Sequence, residues 1–257
     1  MKAHAKRLGQ NFLSDVRVLN REVDYAKPDS KLVLEVGAGD GRLTRLLASR
    51  AKKVVAVEVD KRLVQRLLPL LVEFENLEII HADFLELDLK GKHFDLVISN
   101  VPYSISAPLL FKLTGMNFTR AVLCLQKEFV DRMLAKPSDR KRSRLSVMSQ
   151  LHFDIWGLEK VPHRAFKPSP KVDSAIIELR KKNFTATEFQ ANFINALFQH
   201  KKKRVANSLV DSAHMFGRSK QEVKKVANSL SLADERAFRL TNEQILKLAL
   251  DFRDALN

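Results

Sequence analysis

The sequence predicts an α/β fold: a parallel, doubly wound sheet followed by a small all-helical domain. Three observations carry this expectation. Short β-branched apolar runs alternate with helical patterns along residues 31–135. The first run ends in a glycine cluster, Gly37-Ala38-Gly39-Asp40-Gly41, which opens a helical segment. After Lys182 the strand signal stops, and Phe189, Phe193 and Leu197 recur every four residues.

The elements follow in order. Lys31 to Val36 (KLVLEV) reads as a buried parallel strand, because such strands are apolar on both faces. Arg42 to Arg50 is helical, with Leu43, Leu46 and Leu47 in phase. Lys53 to Val59 is a β-branched second strand. Lys61 to Phe74 is a leucine-rich helix, expected to kink or divide near Pro69. Leu77 to His81, Phe94 to Ser99 and Ala121 to Leu125 are three further strands. Ala107 to Leu113 and Lys127 to Ala135 read as helices. Ile155 to Val161 and Ser174 to Arg180 are additional strand candidates, flanking a proline-rich segment at Phe166 to Pro170. Glu243 to Phe252 reads as an amphipathic helix in the tail. The expected domains are residues 1–182 and 183–257.

Composition narrows the function classes. The chain has 257 residues, 45% of them hydrophobic, and only 8 Gly and 8 Pro, which excludes low-complexity and collagenous chains. The single cysteine, Cys124, excludes an internal disulfide framework and a Cys-based zinc site. No apolar run is long enough to span a bilayer, and no secretory h-region is visible, so a cytoplasmic protein without a membrane partner is expected. The net charge of +15 points to a polyanionic partner. Residues 180–257 carry 15 basic and 8 acidic side chains, so the tail is the more basic part per residue.

The glycine turn indicates a ligand approached closely by backbone. Its spacing is GxGxG; position 42 is Arg42, where a dinucleotide fingerprint needs glycine. Glu58 ends the second strand, placed to accept hydrogen bonds from ribose hydroxyls. Asp83 follows the third strand and can accept from an adenine amino group; Asn100 follows the fourth. Each alone reads as a solvated loop residue. Together, at successive carboxyl ends of strands, they point to an adenosine-containing ligand, with S-adenosylmethionine (SAM) the natural candidate. No metal-ligand constellation is visible.

Asn100-Val101-Pro102-Tyr103 fits methylation of an exocyclic amine. The lone pair of such a nitrogen is delocalised into the ring. Acceptors aimed at its N–H bonds favour a pyramidal nitrogen whose lone pair faces a methyl donor. Asn100 supplies a side-chain oxygen, and Val101-Pro102 a main-chain carbonyl on a loop stiffened by Pro102. Tyr103 can stack on an extruded base. A plain proline turn is the alternative for the tetrapeptide in isolation.

LGQNFL at 8–13, LEVGAGDGRLT at 34–44, NVPY at 100–103, LQKEF at 125–129, RLSV at 144–147 and FKPSPKVDS at 166–174 occur in that order. This set resembles the KsgA-type ribosomal RNA adenine N6,N6-dimethyltransferases, over residues 7 to about 209. The resemblance implies a Rossmann-like class I SAM-dependent methyltransferase sheet. It implies action on two adjacent adenosines near the 3′ end of small-subunit rRNA, within a partly assembled subunit. It further implies that Asn11, Leu13, Gly37, Glu58, Asp83 and Asn100 bind SAM, with Gly39 in the same turn. Tyr103 and Phe166 would sandwich the target adenine beside Asn100 and Pro102. His81 and Phe84 read as structural or adenine-packing neighbours. Val101 stands where most members have Leu or Ile. Lys201-Lys202-Lys203-Arg204 replaces a common Arg-Arg-Lys run, which keeps phosphate attraction but reduces bidentate geometry.

Two basic runs are candidate RNA-backbone contacts: Arg140, Lys141 and Arg142 within KPSDRKRSR, and Lys201, Lys202, Lys203 and Arg204. A charge run alone reads as a solvated face. Two rival functions remain. One is the related macrolide-resistance type of large-subunit rRNA adenine methyltransferase; the other is an assembly-binding protein with lost catalysis. A monomer is expected.

Overall fold

The structure, a computed structural model, describes residues 11–256. Leu8, Gly9 and Gln10 of the first motif lie outside the described residues. The chain forms two compact units. One holds the described residues up to Val130 with Asp154–Lys181; the other holds Asp131–Phe153 with the chain from Lys182 onward. The tail from Lys182 is helical as expected, but the second unit also takes in residues 131–153, which the sequence reading left in the first domain.

The first unit is built on a seven-stranded sheet. In chain order its strands are β2 (Leu32–Val36), β3 (Lys53–Glu58), β4 (Leu77–His81), β5 (His93–Asn100), β6 (Asn117–Gln126), β7 (Phe153–Val161) and β9 (Ser174–Lys181). The spatial order is β4-β3-β2-β5-β6-β9-β7. β1 (Phe12–Leu13) forms a separate antiparallel pair with β8 (Phe166–Lys167). The strands from β4 to β6 are parallel, while β9 runs antiparallel to β6. The sheet is therefore mixed rather than wholly parallel. An antiparallel edge needs no crossover helix, and only loops and a 3₁₀ turn separate β8 from β9 and β7. Arg120 on β6 ties the antiparallel junction, donating to Glu178 on β9 at 2.8 Å and to the Tyr25 carbonyl at 2.6 Å.

The parallel strands are apolar on both faces because helices cover both. Val33, Leu34, Val54, Ala56, Leu96, Ile98 and Val122 are all buried. α1 (Val16–Ala26) begins at Asp15, whose side chain accepts from the Arg17 and Val18 N–H groups. α2 (Arg42–Ala48) and α3 (Lys61–Glu73) follow β2 and β3. Pro69 does not divide α3, which runs unbroken through it. Leu63, Val64, Leu67 and Leu70 are buried along one face, and that packing offsets the hydrogen bond that proline removes. α4 (Ser106–Gly115) joins β5 to β6, and α5 (Lys127–Met133) leaves β6.

The second unit contains α6 (Arg144–His152), α7 (Glu188–Gln199), α8 (Val205–Asp211), α9 (Lys220–Ser229) and α10 (Asn242–Leu256). Two of its helices start at reciprocal capping boxes, Thr187 with Gln190 and Ser219 with Glu222. Phe193, Leu197, Leu209, Val223, Ile245, Leu248 and Phe252 fill the core. The Phe216 and Phe252 rings meet edge-on at 5.0 Å. Among the described residues no helix is long and apolar enough to cross a membrane.

Candidate active site

The strand order reverses at β2, which lies between β3 and β5, and ligands bind at the carboxyl ends of such a junction. A cavity opens there, lined by the glycine turn, Asn11, Phe12, Leu13, Glu35, Glu58, Asp83, Phe84, Asn100 and Pro102 among others. The structure thus brings together every expected SAM-contact residue.

The turn is held by main-chain bonds from the Gly37 and Ala38 N–H groups to the Val57 carbonyl at 2.8 and 3.2 Å. Two of its glycines are required. Gly41 has φ +82, and a Cβ there would stand 2.8 Å from Leu67 Cδ2. Gly39 has φ +60, and a Cβ would stand 3.1 Å from the Phe12 ring. Phe12 can therefore lie against the turn only because position 39 lacks a side chain. Phe12 and Leu13 are pinned by their pairing to Lys167 and Phe166.

Glu58 is 4% exposed, and its carboxylate is already oriented. Oε2 accepts from the Gly39 N–H at 2.8 Å and Oε1 from the Asp60 N–H at 2.9 Å. Carboxylate oxygens retain further lone pairs, so the group can accept ligand hydroxyls from a fixed position. Asp83 is exposed and accepts from the Leu85 N–H at 2.8 Å. Lys112 braces this loop by donating to the Leu85 and Leu87 carbonyls, with its ammonium 5.0 Å from the buried Phe84 ring. His81 is exposed beside the Val59 carbonyl and does not line the cavity.

Asn100 ends β5 opposite Cys124. Its Nδ2 donates to Glu22 Oε2 at 3.2 Å, while its Oδ1 is buried without a hydrogen-bond partner. The following loop is tied to β6 through the Val101 N–H and the Cys124 carbonyl at 3.1 Å. The Pro102 carbonyl accepts from the Ile105 N–H at 3.0 Å. The Tyr103 hydroxyl bonds Ser174 Oγ at 2.8 Å, and burial raises its pKa. Tyr103 is half-buried and lies outside the cavity lining.

Phe166, like Tyr103, lies outside the cavity lining. It is 4% exposed and belongs to the core cluster with Leu13, Leu19 and Ala165. Its pairing with Leu13 anchors the segment that brings Asn11 and Leu13 to the cavity.

Two buried acids escaped the sequence reading. Glu22 lies on the buried face of α1 with Val18, Leu19, Val23 and Ala26. Glu35, within the apolar run of β2, lines the cavity, and its Oε2 is buried and unpartnered. Burial pushes each carboxyl up to about 8, with neighbouring acids adding to the shift. A lone acid in phase with an apolar helix stripe, or inside an apolar strand, is the signal that would have found them.

The basic runs divide once burial is known. Arg142 is fully buried and donates to the Ala135 carbonyl at 3.2 Å, the Leu240 carbonyl at 2.9 Å and Asn242 Oδ1 at 2.8 Å. It is a crosslink inside the helical unit, not part of an exposed basic surface. Lys141 pairs with Asp131 at 2.8 Å. Lys201 Nζ donates to the Arg140 and Arg142 carbonyls, so it too is engaged structurally. Lys203 pairs with Asp211 and Arg204 with Asp234. Arg140 and Lys202 are exposed. A recess in this unit gathers Lys202, Lys203, Arg204, Arg236 and Arg239 with Asp211, Asp234 and Glu235.

The ribosomal RNA adenine dimethylase family matches residues 1–248. A probable ribosomal RNA small subunit methyltransferase A of Thermococcus gammatolerans is 41% identical over 249 residues, covering 96% of this chain and 88% of that protein. Its counterpart in Methanopyrus kandleri is 40% identical, covering 98% and 93%. The crystal structure of a dimethyladenosine transferase from Plasmodium falciparum superposes with a TM-score of 0.80 at 30% identity, over 95% of this chain and 98% of that one. The 23S rRNA methyltransferase ErmE superposes with a TM-score of 0.67 at 29% identity, over 95% and 100%. The chain belongs to the ribosomal RNA adenine dimethylase family.

Proposed function

We propose that this chain uses SAM to dimethylate N6 of two adjacent adenosines near the 3′ end of small-subunit rRNA, in a partly assembled subunit. The observation that carries the reading is Asn100 Oδ1. It is a buried, unpartnered acceptor on a residue lining the same cavity as the glycine turn and Glu58. Buried acceptors are nearly always paired, so this one is suited to a donor supplied by substrate.

The residues present fit SAM. Glu58 offers fixed acceptors for ribose hydroxyls, Asp83 an acceptor beside Phe84, and Gly37 and Gly39 a stretch of cavity wall without side chains. SAM supplies an electrophilic methyl group and departs as S-adenosylhomocysteine. The chain's own residues orient the amine. Asn100 Oδ1 accepts one N6 hydrogen. The Pro102 carbonyl is engaged by Ile105, which makes the Val101 carbonyl the candidate second acceptor. Together they direct the nitrogen lone pair at the methyl carbon, and positioning supplies much of the rate. Tyr103, its hydroxyl anchored on Ser174, is the candidate stacking ring. Exposed Arg140, Lys202 and Arg236 are the candidate phosphate contacts.

Labelled SAM incubated with undermethylated small subunits, followed by nucleoside analysis, tests the reading. N6,N6-dimethyladenosine in small-subunit RNA is expected, and Asn100→Ala should lower transfer without equal loss of RNA binding. Label only in large-subunit RNA would favour the second reading, which the likeness to ErmE supports. No label with subunit binding intact would favour an assembly factor.

A further inference from the structure

We infer that Glu22 is a positioning residue for methyl transfer: its carboxylate accepts from Asn100 Nδ2 and so holds Asn100 Oδ1 towards the substrate amine. This rests on the reading of Asn100 as the acceptor for adenine N6.

The carboxamide of Asn100 has two orientations of similar shape, and its partners decide which end points where. An ionised carboxylate can only accept. With Glu22 ionised, Nδ2 must therefore face Glu22, which leaves Oδ1 as the free acceptor, as in the structure. A protonated Glu22 has an O–H donor as well. The Glu22 oxygen that faces Asn100 is Oε2, so a proton on it finds an acceptor there only if the Asn100 amide turns over. The turned amide would present N–H groups to the substrate amine, the wrong polarity for the reaction.

Packing gives no reason for a carboxyl at this position. Glu22 is fully buried among Val18, Leu19, Val23 and Ala26, and no cationic side chain among the described residues pairs with it. The groups whose fields reach it are Glu159 on β7, Cys124 on β6 and Glu35 on β2. Arg21 and Tyr25 of α1 are engaged with Glu159. Burial thus raises the ionisation midpoint of Glu22 to about 8, which would couple the Asn100 amide to pH in that range.

The test is the single-turnover methylation rate of the full chain on undermethylated small subunits between pH 6 and 9.5. Affinities for SAM and for subunits are measured in parallel. Glu22→Leu should lower the rate at pH 9 about tenfold, the weight of one misdirected buried hydrogen bond, with both affinities within about twofold of the parent. Glu22→Gln can pair with either orientation of Asn100. It should give an intermediate rate and lose the rise through pH 8 that Glu22 contributes. Glu35 titrates in the same range, so Glu35→Gln is run alongside. An unchanged rate in Glu22→Leu would overturn the proposal. So would a rise through pH 8 that survives in Glu22→Gln and disappears in Glu35→Gln. If Glu22→Leu fails to fold, the Gln variant carries the test. Full turnover in Asn100→Ala would instead overturn the reading of Asn100 itself.

Discussion

Replacing Arg142 by methionine separates a structural arginine from an RNA-contacting one within a single basic run. Methionine keeps the apolar stem but removes three hydrogen bonds, to the Ala135 carbonyl, the Leu240 carbonyl and Asn242 Oδ1. The Ala135 carbonyl keeps its bond from Gln150 Nε2 at 3.0 Å, so the uncompensated losses are two, at the buried Leu240 carbonyl and the partly buried Asn242 Oδ1. Each such loss costs about 1–3 kcal/mol. Part is offset because the buried guanidinium is itself disfavoured: desolvation lowers its pKa to about 10. The net expectation is a loss of about 2–4 kcal/mol. For a chain of this size that lowers the melting temperature by roughly 5–15 °C. Calorimetry reads the shift, and RNA binding across a salt series, taken well below the transition, reads phosphate contact. Arg142→Met should leave the salt slope unchanged. Lys202→Ala should do the reverse, melting like the parent while the slope falls by about one phosphate contact. An Arg142→Met protein that melts like the parent and loses salt dependence would refute the assignment.

Gly39→Ala places a Cβ in a left-handed conformation and against the Phe12 ring. SAM affinity should fall about five- to tenfold by calorimetry, as a strain of about 1 kcal/mol or more displaces the cover of the cavity. Glu58→Ala removes the carboxylate that orients the Gly39 and Asp60 N–H groups. It should weaken SAM binding by more than about tenfold, and unchanged binding would place the ribose elsewhere. Glu35 binds its proton more tightly in the folded chain than its ordinary carboxyl range near 4.5 would allow. Its contribution to stability is therefore complete below that range and is lost as pH rises towards about 8. Glu35→Gln should raise the melting temperature at pH 8.5 but not at pH 4; equal shifts at both would show that Glu35 does not titrate in this window.

Much of the site was legible in the sequence because its chemistry sits in local motifs at strand ends. Apolar runs bury as parallel strands, so the residues that terminate them fall along one edge of the sheet. That places Gly37, Glu58, Asp83 and Asn100 together without knowledge of the packing. The GxGxG spacing likewise demands positive φ, which the backbone alone dictates. What required tertiary structure was the fate of side chains whose partners are far along the chain. Arg142 reads as one more cation in a solvated run, yet Leu240 and Asn242 arrive from about a hundred residues away to bury it. Phe166 reads as a free aromatic beside prolines, but pairing with Leu13 draws it into the core. The antiparallel pairing of β9 with β6 and the inclusion of residues 131–153 in the helical unit are also products of long-range packing. Residue types and spacing decide which groups can do chemistry. Burial and partnership, which depend on the whole fold, decide which of them are free to do it.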